Sequence, residues 1–137
     1  MASEFFWDTS GFFALLNSDD PQHERARQWT AHALAQQRRS ITTEWIIGEC
    51  CTLLTARRRV HLIPRFLDLT ERSASLVVLM SDSSLFNESK GFLRKHLDQG
   101  FSFVDCTSFV IMRERGLQDA LSTDEHFVHA GFNSLLR

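Results

Sequence analysis

Short apolar runs of strand length alternate along this chain with amphipathic stretches of helical period. That alternation predicts an α/β fold, a three-layer α/β/α sandwich with a mostly parallel central sheet. Each candidate strand is separated from the next by helical sequence, which is the spacing of right-handed crossovers rather than of hairpins. At 137 residues the chain can bury a core without disulfide or metal staples but cannot house two, so residues 1–137 are read as a single domain.

The first strand is FFW, ending at Asp8, and Thr9-Ser10-Gly11 reads as a turn into the helical run FFALL. Asp19-Asp20-Pro21 then supplies a cap and a proline for a second helix, HERARQWTAHALAQQ. RRSIT is a brief strand. Thr42 and Thr43 follow it as caps of EWIIGECCTLLTARRR, where Ile46, Cys50, Leu53 and Leu54 form one apolar stripe with Glu49 at its edge. HLIPRFLDLTERS is a helix with proline in its first turn, and ASLVVLM a fully buried strand.

Ser81 and Asp82 cap SSLFNESKGFLRKHLDQG, which Gly100 closes. In FSFVDCTSFVIM, Ser102 and Asp105 fit a capping box that opens a helix running to Gly116, with Asp105, Phe109 and Met112 on one inward face. DALST is a short strand, DEHFVHAGF a short helix and FNSLL a weak last strand.

A composition of 43% hydrophobic and 23% charged residues excludes a disordered chain. Glu4 and Asp8 interrupt the apolar N-terminal stretch, no basic segment or cleavage site accompanies it, and no uncharged run approaches a membrane span. A protein without membrane partners, in the cytoplasm, is expected. Cys50, Cys51 and Cys106 show no C-x-x-C spacing, and adjacent cysteines cannot close a strain-free disulfide, so all three read as reduced small hydrophobes. His126 and His129 stand at i, i+3, a spacing that suits a metal, but without a third ligand near them in sequence they read as surface or packing residues.

The net charge of −2 argues against an overtly basic nucleic-acid binder. Yet 13 of the 15 basic residues are Arg, grouped as Arg38-Arg39, Arg57-Arg58-Arg59, Arg94-Lys95 and Arg113/Arg115, and the planar guanidinium fork suits phosphate. Solvated helix ends explain any one cluster as well. Arg57, Arg58 and Arg59 end the helix that carries Glu49, which makes them candidate phosphate-binding residues of a substrate groove.

Four acids stand out. Asp8 and Asp124 follow strands, Glu49 edges an apolar stripe and Asp105 opens an apolar helix. Singly, each has a structural explanation: Asp8 and Asp124 as caps or turn formers, Asp105 as half of a capping box, Glu49 as the partner of an Arg. Jointly, they gather at the carboxyl edge of a parallel sheet, where such folds bind ligands. Two carboxylates about 5 Å apart repel by roughly 3 kcal/mol at an effective dielectric of 20, a cost that a divalent cation removes. Oxygen ligands without His or Cys select Mg²⁺ or Mn²⁺, one or two ions, which would activate water against a phosphodiester. Thr9, Ser10, Ser122 and Thr123 supply hydroxyls to orient carboxylates or water.

These stretches resemble a known family. DTSGFFALL, TTEWIIGE and FSFVDCTSFVIMRERGLQDALSTDEHFVHAGF, in that order and over nearly the whole chain, are similar to the motifs of PIN domains, in particular the small stand-alone VapC-like ribonuclease toxins. The last stretch is the specific one, an Asp opening an apolar helix and then L-S/T-x-D-x-x-F-x-x-x-G-F; DTS alone is weak. The resemblance implies a metal-dependent endoribonuclease with an acidic site at Asp8, Glu49, Asp105 and Asp124. It also implies a homodimer and a small antitoxin partner whose tail enters the active-site groove. His96 stands where an aromatic residue is common and Cys106 where Ala is common; these departures bear on substrate preference and leave the acids intact.

Two other classes compete. A phosphoacceptor receiver domain needs a Lys after its last strand, whereas the only lysines, Lys90 and Lys95, share one helix. An idle PIN-like binding scaffold would have lost an acid, and all four are present. An enzyme acting instead on DNA or on precursor RNA is compatible with the same residues.

Overall fold

The computed structural model describes residues 3–137. Five strands, β1 (Phe5–Trp7), β2 (Ser40–Thr43), β3 (Leu76–Leu79), β4 (Asp119–Leu121) and β5 (Asn133–Ser134), form one sheet in the order β3-β2-β1-β4-β5. All four pairings are parallel, with Phe6 opposite Ile41 on one side and opposite Ala120 on the other. Strand order therefore runs outward from β1 in one direction and then restarts on its other side. The reversal lies between β1 and β4, and a crevice opens there at the carboxyl ends of the strands.

The connections are α1 (Thr9–Leu16) and α2 (His23–Ala35), then α3 (Glu44–Ala56) and α4 (Ile63–Arg72), then α5 (Ser83–Lys95) and α6 (Phe103–Arg115), and finally α7 (Glu125–His129). Right-handed crossovers put α1 to α4 on one face and α5 to α7 on the other. Helix packing follows the same division, α1 against α2 and α3, and α6 against α5 and α7. This is the expected three-layer α/β/α sandwich.

Phenylalanine fills both layers of core. Trp7 stacks on Phe12 with centroids 4.4 Å apart, and Phe12 meets Phe66 edge-on at 5.0 Å. On the other face Phe109, fully buried, meets Phe101 at 5.0 Å and Phe127 at 4.9 Å. Such edge-to-face pairs add to the area each ring removes from water. Phe109 lies one turn beyond Asp105 on α6, whose residues from Asp105 to Met112 are all buried. The core thereby fixes the rotation of the helix that presents Asp105.

Several boundaries differ from expectation. Thr9-Ser10-Gly11 is not a turn but the first turn of α1, with Asp8 at the N-cap position. Gly11 is required there, because an added Cβ would lie 2.0 Å from the carbonyl oxygen of Leu121. This close approach seats α1 against the end of β4. Asp20 and Pro21 precede α2 in a turn, in which the Gln22 amide donates to Asp20 Oδ1 at 2.8 Å, so the helix starts at His23 as expected but with Gln22, not Asp20, at its N-cap.

The strand in ASLVVLM is half-buried along its length, because β3 is an edge strand of the sheet. The α5 helix stops at Lys95 and a 3-10 turn over Leu97–Gln99 follows before Gly100 at φ 72. Thr43, not Thr42, caps α3 through the Ile46 amide; Thr42 Oγ1 instead donates to the Trp7 carbonyl at 3.0 Å, tying β2 to the end of β1.

Candidate active site

Asp8 leaves β1 at the reversal point. Its amide still donates to the Leu121 carbonyl of β4 at 3.3 Å, so its backbone belongs to the sheet. Although it occupies the N-cap position, its carboxylate makes no cap bond. Asp8 Oδ2 accepts instead from Ser10 Oγ and Ser122 Oγ, both at 2.8 Å. The Thr123 amide donates to Ser10 Oγ and the Asp124 amide to Ser122 Oγ, each at 2.9 Å. Both serine oxygens thus have amides as donors, and each single hydroxyl hydrogen is directed to Asp8. The 3.1 Å separation of the two serine oxygens is then a close approach rather than a further bond.

Asp105 does complete the capping box. Its amide donates to Ser102 Oγ at 3.0 Å, and the Ser102 amide donates to Asp105 Oδ2 at 3.1 Å. The same Oδ2 lies 3.0 Å from His126 Nδ1. Asp124 caps α7 by accepting the His126 amide at Oδ1, 2.9 Å away. Glu49, on α3, pairs with no Arg; it accepts from Thr9 Oγ1 at 2.5 Å. The four acids, with His126 and Leu53, line one cleft.

A common pattern emerges. Each acid engages the protein through one oxygen, Asp8 Oδ2, Glu49 Oε1, Asp105 Oδ2 and Asp124 Oδ1. Among the described residues the second oxygen of each has no protein partner. No Arg or Lys among the described residues pairs with any of the four, and the basic group beside them is the imidazole of His126. Orientation is therefore fixed while coordinating capacity is kept, and no guanidinium or ammonium offsets the charge. This donor set fits a hard divalent cation.

The electrostatics agree. Burial pushes the Asp8 carboxyl up to about 6, against the lowering effect of the Ser10 and Ser122 bonds and with further raising by the charges of Asp105 and Asp124. Asp8 is 5% exposed. For His126, burial alone would lower the imidazole, but the Asp105 bond and the fields of Asp124, Asp105 and Glu125 outweigh it, and the net direction is upward.

His126, read above as a surface or packing residue, is partly exposed and packs edge-on against Phe101, and the structure adds a contact with the acids. Ligand atoms of Asp105, Asp124 and His126 lie within 4.8 Å of one another. The partner missing from the sequence was Asp105, 21 positions earlier. A local signal did exist, since His126 stands two residues after a capping Asp, where a side chain lies beside the cap in the first helical turn.

Of the supporting hydroxyls, Thr9, Ser10 and Ser122 orient carboxylates, while Thr123 contributes its amide. The arginines divide. Arg59 is bound to Asp19 at 3.0 Å, and Arg58 lies past the helix end at φ 57. Arg57 packs its guanidinium over Phe13, 6.0 Å from the ring centroid, two helical turns beyond Glu49 on the side that Leu53 shares. The three cysteines are free, and burial raises all three thiols, Cys50 to about 12 and Cys106 to about 11, which disfavours the thiolate form.

The chain is 33% identical over 128 residues to the 23S rRNA-specific endonuclease VapC20 of Mycobacterium tuberculosis, spanning 93% of this chain and 94% of the relative. The crystal structure of that VapC20, described as a Sarcin-Ricin loop cleaving toxin, superposes with a TM-score of 0.84 at 30% identity, over 95% of this chain and 97% of the other. PAE2754 from Pyrobaculum aerophilum shares the fold at a TM-score of 0.63 and 18% identity, over 98% of this chain and 90% of the other. The family model for the PIN domain matches residues 5–133. The chain belongs to the PIN-domain family.

Proposed function

We propose that the protein is a divalent-metal-dependent endoribonuclease, the toxin of a toxin–antitoxin pair, that hydrolyses RNA phosphodiester bonds. The observation that carries this reading is the set of four carboxylates, Asp8, Glu49, Asp105 and Asp124, each anchored through one oxygen and free at the other. Its kinship with an RNA-cleaving toxin supports RNA as the substrate class and 23S rRNA as the first RNA to test.

The four acids would hold Mg²⁺ or Mn²⁺, one or two ions. When bound, the metal supplies positive charge against the phosphate and a more acidic water. The chain's own contribution is orientation. Ser10 and Ser122 hold Asp8, Thr9 holds Glu49, Ser102 and His126 hold Asp105, and the His126 amide holds Asp124. The oxygens left over, which have no protein partner among the described residues, would be the ones to hold the ion or to take a proton from water. Arg57 would contact the RNA backbone: eight residues beyond Glu49, it lies about 12 Å along the helix, about two phosphates away. Arg58 and Arg59 are weaker candidates, since Arg59 already neutralises Asp19.

The same kinship supports a homodimer, a small antitoxin protein as partner, and cytoplasmic action. No helix among the described residues is long and apolar enough to cross a membrane.

The test is an RNA-cleavage assay with Mg²⁺, Mn²⁺ or EDTA on the parent protein and on Asp8→Asn and Asp105→Asn. Metal-dependent cleavage lost in both variants is expected. Cleavage that survives either substitution, or that ignores the chelator, refutes the mechanism.

A further inference from the structure

The four-acid site contains a fifth donor of a different kind. His126 Nδ1 lies 3.0 Å from Asp105 Oδ2 and 3.7 Å from Asp124 Oδ1. Two ligand atoms at right angles around an ion about 2.1 Å from each sit about 3 Å apart. The nitrogen thus lies beside both carboxylates, with one ligand atom of each of the three residues within 4.8 Å of the others, and the partner-free oxygen of each carboxylate remains to complete a coordination shell. Phe101 holds the imidazole edge-on at a centroid distance of 5.4 Å, and the ring remains 29% exposed on the cleft side. Exchanging the hydrogen bond for a coordinate bond releases the Nδ1 proton and tilts the ring off the line to Asp105, a small movement for a side chain that is partly exposed.

We infer that His126 donates Nδ1 to the bound metal and thereby sets its identity. The inference rests on the nuclease reading above and makes the site one of mixed oxygen and nitrogen donors. Carboxylates accommodate Mg²⁺ and Mn²⁺ alike, whereas imidazole favours first-row transition ions. The expectation from sequence, an oxygen-only site indifferent between the two ions, changes accordingly: the protein selects Mn²⁺ over Mg²⁺. His126→Asn is the informative change, because the amide keeps a donor for Asp105 but offers the metal only oxygen.

Mn²⁺ and Mg²⁺ binding to the full chain are measured by calorimetry, and Mn²⁺ is also observed by pulsed electron paramagnetic resonance. In the parent, Mn²⁺ shows coupling to an imidazole ¹⁴N. In His126→Asn that coupling disappears and Mn²⁺ affinity falls about 10-fold while Mg²⁺ affinity stays within about two-fold. Mn²⁺ bound to the parent without nitrogen coupling overturns the inference and makes His126 a positioning residue for Asp105, as does an equal fall in affinity for both ions. A parent chain that binds neither ion overturns the nuclease reading itself, and this inference with it. The spectroscopic result on the parent stands whether or not the variant folds.

Discussion

The cleft has two unlike halves. Asp8 is sealed under α1 with only serine hydroxyls for company, and burial drives its carboxyl up to about 6. Asp105 and Asp124 stand opposite with an imidazole between them. One half carries a carboxylate with no basic group beside it, and the other has an imidazole, raised by its acidic neighbours, built into the chain. Under the proposed function, the contrast predicts that a metal would draw its binding energy chiefly from relief of the buried Asp8 charge, with the opposite half supplying geometry.

The largest effect is expected at Asp8. Asp8→Asn should lower RNA cleavage by about 10³-fold or more, read as kcat/KM. It should also stabilise the metal-free fold. The rise of the Asp8 carboxyl from 3.8 to about 6 corresponds to roughly 3 kcal/mol. Because the folded state binds that proton more tightly, its contribution is fully present below pH 4 and is lost as pH rises through 6. Urea unfolding of the metal-free parent should therefore show stability falling between pH 4 and pH 6, and Asp8→Asn should remove that slope. A parent whose stability is flat over this window contradicts the contrast between the halves.

The opposite half depends on packing. Phe109→Ala leaves a cavity one turn below Asp105 and should cost about 3–5 kcal/mol in denaturant unfolding. Gly11→Ala is its counterpart under Asp8. A Cβ at 2.0 Å from the Leu121 carbonyl must push α1 off β4, at about 1–3 kcal/mol, and should impair cleavage more than its stability loss explains. Ser122→Ala removes one of two hydroxyls from Asp8 and should cost about 1 kcal/mol, with Asp8 titrating still higher by carboxyl NMR. The smallest effect belongs to Arg57→Ala: unchanged stability and kcat, a raised KM for RNA and a shallower salt dependence of binding.

What could be read from the sequence was what is local. The alternation of strand and helix, the Ser102–Asp105 capping box and the placement of Asp8 after a strand follow from neighbours within a few residues. The edge position of β3 did not, because ASLVVLM is as apolar as a central strand and only strand order decides its burial. The Arg59–Asp19 pair spans 40 positions and the His126–Asp105 contact 21. No periodicity reports either. Gly11 read as turn material because glycine marks turns more often than it marks a close helix-to-strand approach. All four acids were legible, yet the reason they suit a cation, one anchored and one free oxygen apiece, exists only once the loops after β1 and β4 meet.

The most direct test of that claim is the thermal stability of the parent and of Asp8→Asn at neutral pH, with and without saturating Mn²⁺. A cation that relieves Asp8 should raise the Tm of the parent substantially and that of the variant little, leaving the variant the more stable of the two only when metal is absent. An equal rise in both proteins, or none in the parent, would contradict the account.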